Sequence, residues 1–419
     1  MKQMTAPAAP LSLFALLCYG LFGLPLAMVA LPIYVFVPQF YAQRSSLSLA
    51  AIGTVLLAAR VLAAFIDPML GKSMAQRGGA YARYIMLSLP LLLVGFGALF
   101  HPPPLAEIGA LIWFLASLML VYLGFGLAMI AHQSWGAALT QAPSARARVT
   151  AVREGCGLIG VIAAAGLTGV LGYDGLTLLF AFFLLGTAAL LLLRGPRPAA
   201  VTTSAASSAV AGSMLAPLRG VRFRALFSVL IVSGVGAAIP ATLFLFFAED
   251  RLQLGSYAGL FLILYFGAAA ASMPLWVVLA RRHGEARAWG AGMLLSALVF
   301  VWAYGLGPGA LLAFGVICLL SGVALGADLA LPPALLAGVI AQAGHSGQHE
   351  AAYFGLWNWG VQLSLALAAG IALPLLGWLG YVPGSGADTQ ALVVAYALLP
   401  CGLKLLAAVM LWRAPLRDC

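Results

Sequence analysis

Roughly twelve long apolar runs, separated by short basic segments, leave this chain one medium in which to fold. They lie at 11–37, 47–72, 83–100, 107–139, 151–173, 175–193, 225–248, 256–280, 288–306, 309–340, 352–380 and 389–412. A helix needs about 20 apolar residues to cross a bilayer, and these runs are of that order. Charged residues make up 8% of the chain and hydrophobic residues 63%, against about 25% charged in a soluble domain. The expectation is an all-α integral membrane protein.

The net charge of +10 does not point to nucleic acid, because the basic residues are scattered singly and form no patch. With the N-terminus placed in the cytoplasm, 17 of the 21 lysines and arginines fall in cytoplasmic segments and only Arg44 and Arg251 on the opposite side. That asymmetry orients a multi-pass protein of the inner membrane with both termini cytoplasmic. The first run has no Ala-x-Ala site and is longer than a signal-peptide core, so it reads as a retained helix. The five cysteines stand alone and read as packing residues.

The segment 194–224 has an Ala/Ser/Thr-rich centre of linker composition. It divides the chain into an N-terminal bundle at 1–193 and a C-terminal bundle at 225–419, six helices each. The halves echo one another. Pro68 and Gly78 have counterparts 206 residues later in Pro274 and Gly284, each pair amid arginines. Helices one and seven both carry Gly and Pro: Gly20, Gly23, Pro25 and Pro32, then Gly234, Gly236 and Pro240. Breaks at matching places in two halves point to a central site in transporters.

Away from their ends, the apolar runs embed the charges Arg60, Asp67, Asp328 and Lys404. Charges at such depth are costly and normally face a bundle interior or a wet cavity. Arg60 and Asp67 share a helix face, so Arg60 is a candidate partner of Asp67 or a substrate ligand. Asp67, His132 and Asp328 are candidates for proton or cation coupling, and Asp328 with Lys404 for a structural ion pair. Helix eleven brings Trp357, Asn358, Trp359 and Gln362 into one span, with Asn358 and Gln362 spaced i, i+4 on one face. Candidate substrate contacts are Tyr19, Arg60, Trp135, Trp357, Asn358 and Gln362. Arg77, Arg153 and Glu154 are candidates for a cytoplasmic gate.

The segment Asp67-Pro-Met-Leu-Gly71…Arg77 resembles the helix-two signature of the glycoside–pentoside–hexuronide:cation symporters, the melibiose-permease-like branch of the major facilitators. Arg60, Gly326-Ala-Asp328…Pro332-Pro333, Glu350, Tyr353…Asn358 and Leu399-Pro-Cys-Gly-Leu-Lys404 match in order. The resemblance covers essentially the whole chain. It implies two pseudo-symmetric six-helix bundles and a secondary transporter of a small, glycoside-like polar solute, moved with H⁺ or, less readily, Na⁺. It implies no cofactor and a monomer in the lipid bilayer. The chain departs where the family places site charges: Pro25, Ala63 and Ala131 stand for carboxylates and Gln362 for a lysine. Two alternatives remain open: an amphiphile or lysolipid-type carrier, and a non-transporting receptor or assembly factor on the same scaffold. No nucleotide-binding loop or hydrolase motif is present, so no enzyme is expected.

Overall fold

The structure, a computed structural model, describes residues 12–45, 47–76, 81–139, 143–197, 216–343, 350–384 and 389–416. Every regular element among them is helical. In chain order they are α1 (Leu13–Gly20), α2 (Gly23–Arg44), α3 (Leu49–Gln76), α4 (Tyr81–Phe100), α5 (Glu107–Ala138), α6 (Pro143–Arg194) and α7 (Val221–Phe246). There follow α8 (Ala258–His283), α9 (Glu285–Phe300), α10 (Leu311–Gln342), α11 (Glu350–Trp378), α12 (Gln390–Val393) and α13 (Leu399–Arg413). π-helical turns at Phe247–Arg251 and Val394–Leu398 extend α7 and join α12 to α13.

Eleven spans among the described residues are long and apolar enough to cross a membrane, and the chain is a multi-pass membrane protein. The first span, Leu13–Arg44, is two helices with a break at Leu21–Phe22, where Gly20 and Gly23 lie against Val152 and Arg153 of α6. It runs past position 37, with Pro32 and Pro38 inside α2. The span Val152–Arg194 covers 43 residues, about 65 Å at 1.5 Å per residue. Its helix is interrupted at Gly172, whose φ of 67° and ψ of −174° no helical residue adopts. Most of the expected linker, 198–215, lies outside the described residues.

Loop contacts identify the two ends of the bundle. On the distal side the end of α2 meets the end of α7, where Gln43 Nε2 donates to Glu249 Oε2 at 2.8 Å. There Arg251 donates to the Leu306 carbonyl at 2.8 Å, and the Tyr381 hydroxyl donates to Asp250. Burial and that carboxylate push the Tyr381 phenol well above its ordinary range. The other, terminal side holds the beginnings of α1, α7 and α11 and the end of α13.

The packing is asymmetric between these sides. α2 packs on α7, α3 on α11 and α6 on α8, joining the two halves. One buried apolar core runs through the N-terminal half and continues into the distal part of the C-terminal half, through Ile239, Leu243, Leu262, Phe314, Leu373 and Tyr396. A second core, with Phe223, Trp276, Trp289, Leu335, Tyr353 and Leu411, occupies the terminal side of the C-terminal half alone. Among the described residues, apolar side chains therefore weld the halves together distally and not on the terminal side.

Candidate functional site

α3 presents Gly53, Leu57 and Arg60 at i, i+4 and i+7, one face of a helix, and that face meets α11. A side chain at Gly53 would fall 2.8 Å from the Ala369 carbonyl, and Leu57 packs on Gly370. One turn further, Arg60 Nη1 donates to Gln362 Oε1 at 3.3 Å. Its guanidinium lies 5.4 Å from the centre of the Tyr122 ring on α5. Arg60 is buried, whereas Asn358, one turn before Gln362 toward the terminal side, is exposed. Arg60 thus sits where the joined and separate parts of the two halves meet.

Arg60 and Asp67 do not pair. Seven residues along a helix separate them by about 10 Å, and the Arg60 side chain reaches across to α11 instead. Asp67 is half-buried and packs on Gly126 of α5, where a side chain at 126 would collide with its carboxylate. The absence of a side chain at Gly126 is what lets the acid lie between the helices.

A second polar centre ties four helices of the C-terminal half together. Lys404 Nζ on α13 donates to Asp328 Oδ2 on α10 at 2.5 Å and to Ser233 Oγ on α7 at 2.9 Å. Trp289 Nε1 on α9 donates to Asp328 Oδ1 at 2.8 Å. Such a buried pair needs this kind of added hydrogen bonding to offset desolvation. The pair borders a cavity formed by α7, α8, α9, α10 and α13, with Val35 of α2 at its edge. Tyr265, Tyr396, Ser296 and Ser321 add polar groups to a wall otherwise made mainly of Phe, Leu, Ala and Pro.

The other sequence candidates fall elsewhere. Tyr19 and His132 clasp α1 to α5: the Tyr19 hydroxyl donates to the His132 carbonyl at 2.9 Å, and His132 Nε2 lies 2.9 Å from the Tyr19 carbonyl. Trp135 Nε1 donates to the Pro196 carbonyl at 2.8 Å. Arg153 contacts its neighbour Glu154 on the terminal side, and Arg77 lies outside the described residues. Trp357 is buried in the C-terminal core, while Trp359 is partly exposed and stacks on Phe227. Of the six candidate substrate contacts Arg60 and Gln362 are hydrogen-bonded, and none of the six lines that cavity. Tyr122, Ser233 and Trp289 were not foreseen. Each is an ordinary residue of an apolar run, identified only by its neighbours in space. No group of three or more His, Cys, Asp and Glu able to hold a metal occurs among the described residues.

The chain superposes on solved transporters across nearly its whole length. The crystal structure of the nucleoside transporter NupG matches with a TM-score of 0.71 at 12% identity, covering 95% of this chain and 99% of that one. The D-xylose–proton symporter matches with a TM-score of 0.71 at 14% identity, covering 96% of each. A bacterial homologue of the lysosomal transporter Spinster, inward-facing and unoccupied, matches with a TM-score of 0.66 at 15% identity, covering 97% of this chain and 95% of that one. At these identities the likeness concerns the fold. No curated protein matches the chain. The model of the family described as MFS/sugar transport protein matches residues 18–418, and with that match over nearly its whole length the chain belongs to the MFS/sugar transport protein family.

Proposed function

We propose that this protein is a secondary carrier of the bacterial inner membrane, moving a small polar organic solute by alternating access with H⁺ as the coupling ion. Counting the interrupted α6 as two crossings gives twelve, six per half, and the basic asymmetry of the loops puts both termini in the cytoplasm. The observation that carries this reading is the one-sided weld. A core continuous between the halves on the distal side and divided on the terminal side is what a carrier closed to one compartment and open to the other requires. Arg60 and Gln362 stand at the boundary, so a solute bound there would meet both halves. The family and the fold-level neighbours, among them a proton symporter of a sugar, support the reaction class.

Asp67 is the acid we assign to proton coupling, because it is half-buried at the helix interface and has no cationic partner among the described residues. The test is uptake into proteoliposomes across a solute panel, with and without imposed pH and Na⁺ gradients. Asp67→Asn should retain counterflow and lose the acceleration by an inward proton gradient. Undiminished gradient-driven uptake in that variant refutes the coupling role. The largely apolar wall of the C-terminal cavity favours one second reading, an amphiphile carrier. It predicts competition by single-chain lipids in the same assay.

A further inference from the structure

Arg60 poses an electrostatic problem that the described residues do not solve by themselves. The residue is 7% exposed, and its guanidinium cannot be deprotonated. Its polar neighbours are the Gln362 carbonyl oxygen and the Tyr122 ring, and neither carries negative charge. The acids at comparable depth are committed elsewhere: Asp328 to Lys404 and Trp289, and Asp67 to its place on Gly126 two turns away. Position 63, which an i+3 spacing would bring beside Arg60, is alanine. Next to the cation the buried Tyr122 hydroxyl has no hydrogen-bond partner among the described residues. Gln362 gives Arg60 its oxygen, so its amide N–H₂ remains available as a donor. The cluster therefore offers donors and a positive charge, beside the exposed Asn358.

We propose that the substrate supplies the missing negative charge. It is a small organic anion whose carboxylate docks on the Arg60 fork, with Tyr122 and Gln362 donating beside it. A guanidinium presents two parallel N–H groups at the spacing of a carboxylate's oxygens, and a buried cation left without a counter-charge is strongly unfavourable. This rests on the carrier reading and narrows it: an acid such as a sugar acid is preferred over a neutral solute of the same size.

The test uses full-length protein in proteoliposomes and matched solute pairs: glucuronate with glucose, galacturonate with galactose, glycerate with glycerol. The expected result is uptake of the acid member at least about tenfold faster in one or more pairs, the scale of a hydrogen bond to a charged group. Arg60→Gln should abolish that preference and Arg60→Lys retain part of it. Ala63→Asp, which gives Arg60 an internal carboxylate, should also erase it in a protein that stays monodisperse with an unchanged melting temperature. If Arg60→Gln fails to fold, Ala63→Asp decides, and a preserved acid preference there overturns the proposal. Equal or faster uptake of the neutral members by the wild type overturns the anion site and leaves the carrier standing. No uptake of either member of any pair counts against both.

Discussion

Lys404 is a charge held by partners from two other helices in the membrane interior. It reaches Asp328 and Ser233 at once, and Trp289 completes the carboxylate's hydrogen bonds. Removing one member leaves the other as a buried charge without compensation, which costs about 3–5 kcal/mol in proteins where it has been measured. Lys404→Met should therefore lower the melting temperature of the detergent-purified protein by many degrees. The double change Lys404→Met with Asp328→Asn should recover most of the loss, because it removes both charges. Equal melting temperatures for the single and double variants would show that the pair contributes nothing as a pair. Asp67 differs from Asp328 in this respect: with no cation beside it among the described residues, Asp67→Asn should leave stability within about 0.5 kcal/mol, as for substitutions that disrupt no partner.

At the scale of elements, α3 and α11 form the seam on which the two halves close distally. Gly53 permits the close approach, since a side chain there would lie 2.8 Å from the Ala369 carbonyl and 2.9 Å from Pro374 Cδ. Both neighbours are rigid. Gly53→Leu should pry the seam apart, so that a cysteine at the fully buried Leu373 reacts with a membrane-impermeant thiol reagent added from the distal side. Protection equal to that in the Gly53 parent would show that the seam lies elsewhere. Element positions were largely legible in the sequence, because about 20 apolar residues between basic segments leave few other readings. The boundary between the fifth and sixth crossings was read at residues 173–175, beside the observed break at Gly172. The first crossing was read as ending before Pro38, but α2 continues to Arg44, as membrane helices tolerate proline where neighbours satisfy the freed backbone. The site was less legible. Helices apolar on nearly every face do not encode which side turns inward. Hence Arg60 could be recognised as an interior charge, while its neighbours Gln362 and Tyr122, instead of Asp67, could not be read from spacing.

For the whole molecule, the core is shared between the halves on the distal side and divided on the terminal side. Gln43 and Glu249 are the distal hydrogen-bonded pair from opposite halves. Cysteines at both positions, in a background lacking the native thiols, should be joined by a short bifunctional thiol reagent, and the joined protein should cease to transport. Bound solute should still protect a cysteine at the exposed Asn358 from labelling, because the terminal side stays open. Transport that persists after quantitative joining would mean that the halves need not part distally.

The knot of Asp328, Lys404, Trp289 and Ser233 sets how force can pass through the protein. Four helices gripping a single charge cannot slide past each other without baring it to oil. If the protein works as the proposed carrier, these four helices swing as one stiff lever, and the bending of a working cycle falls on other helices, such as the break between α1 and α2.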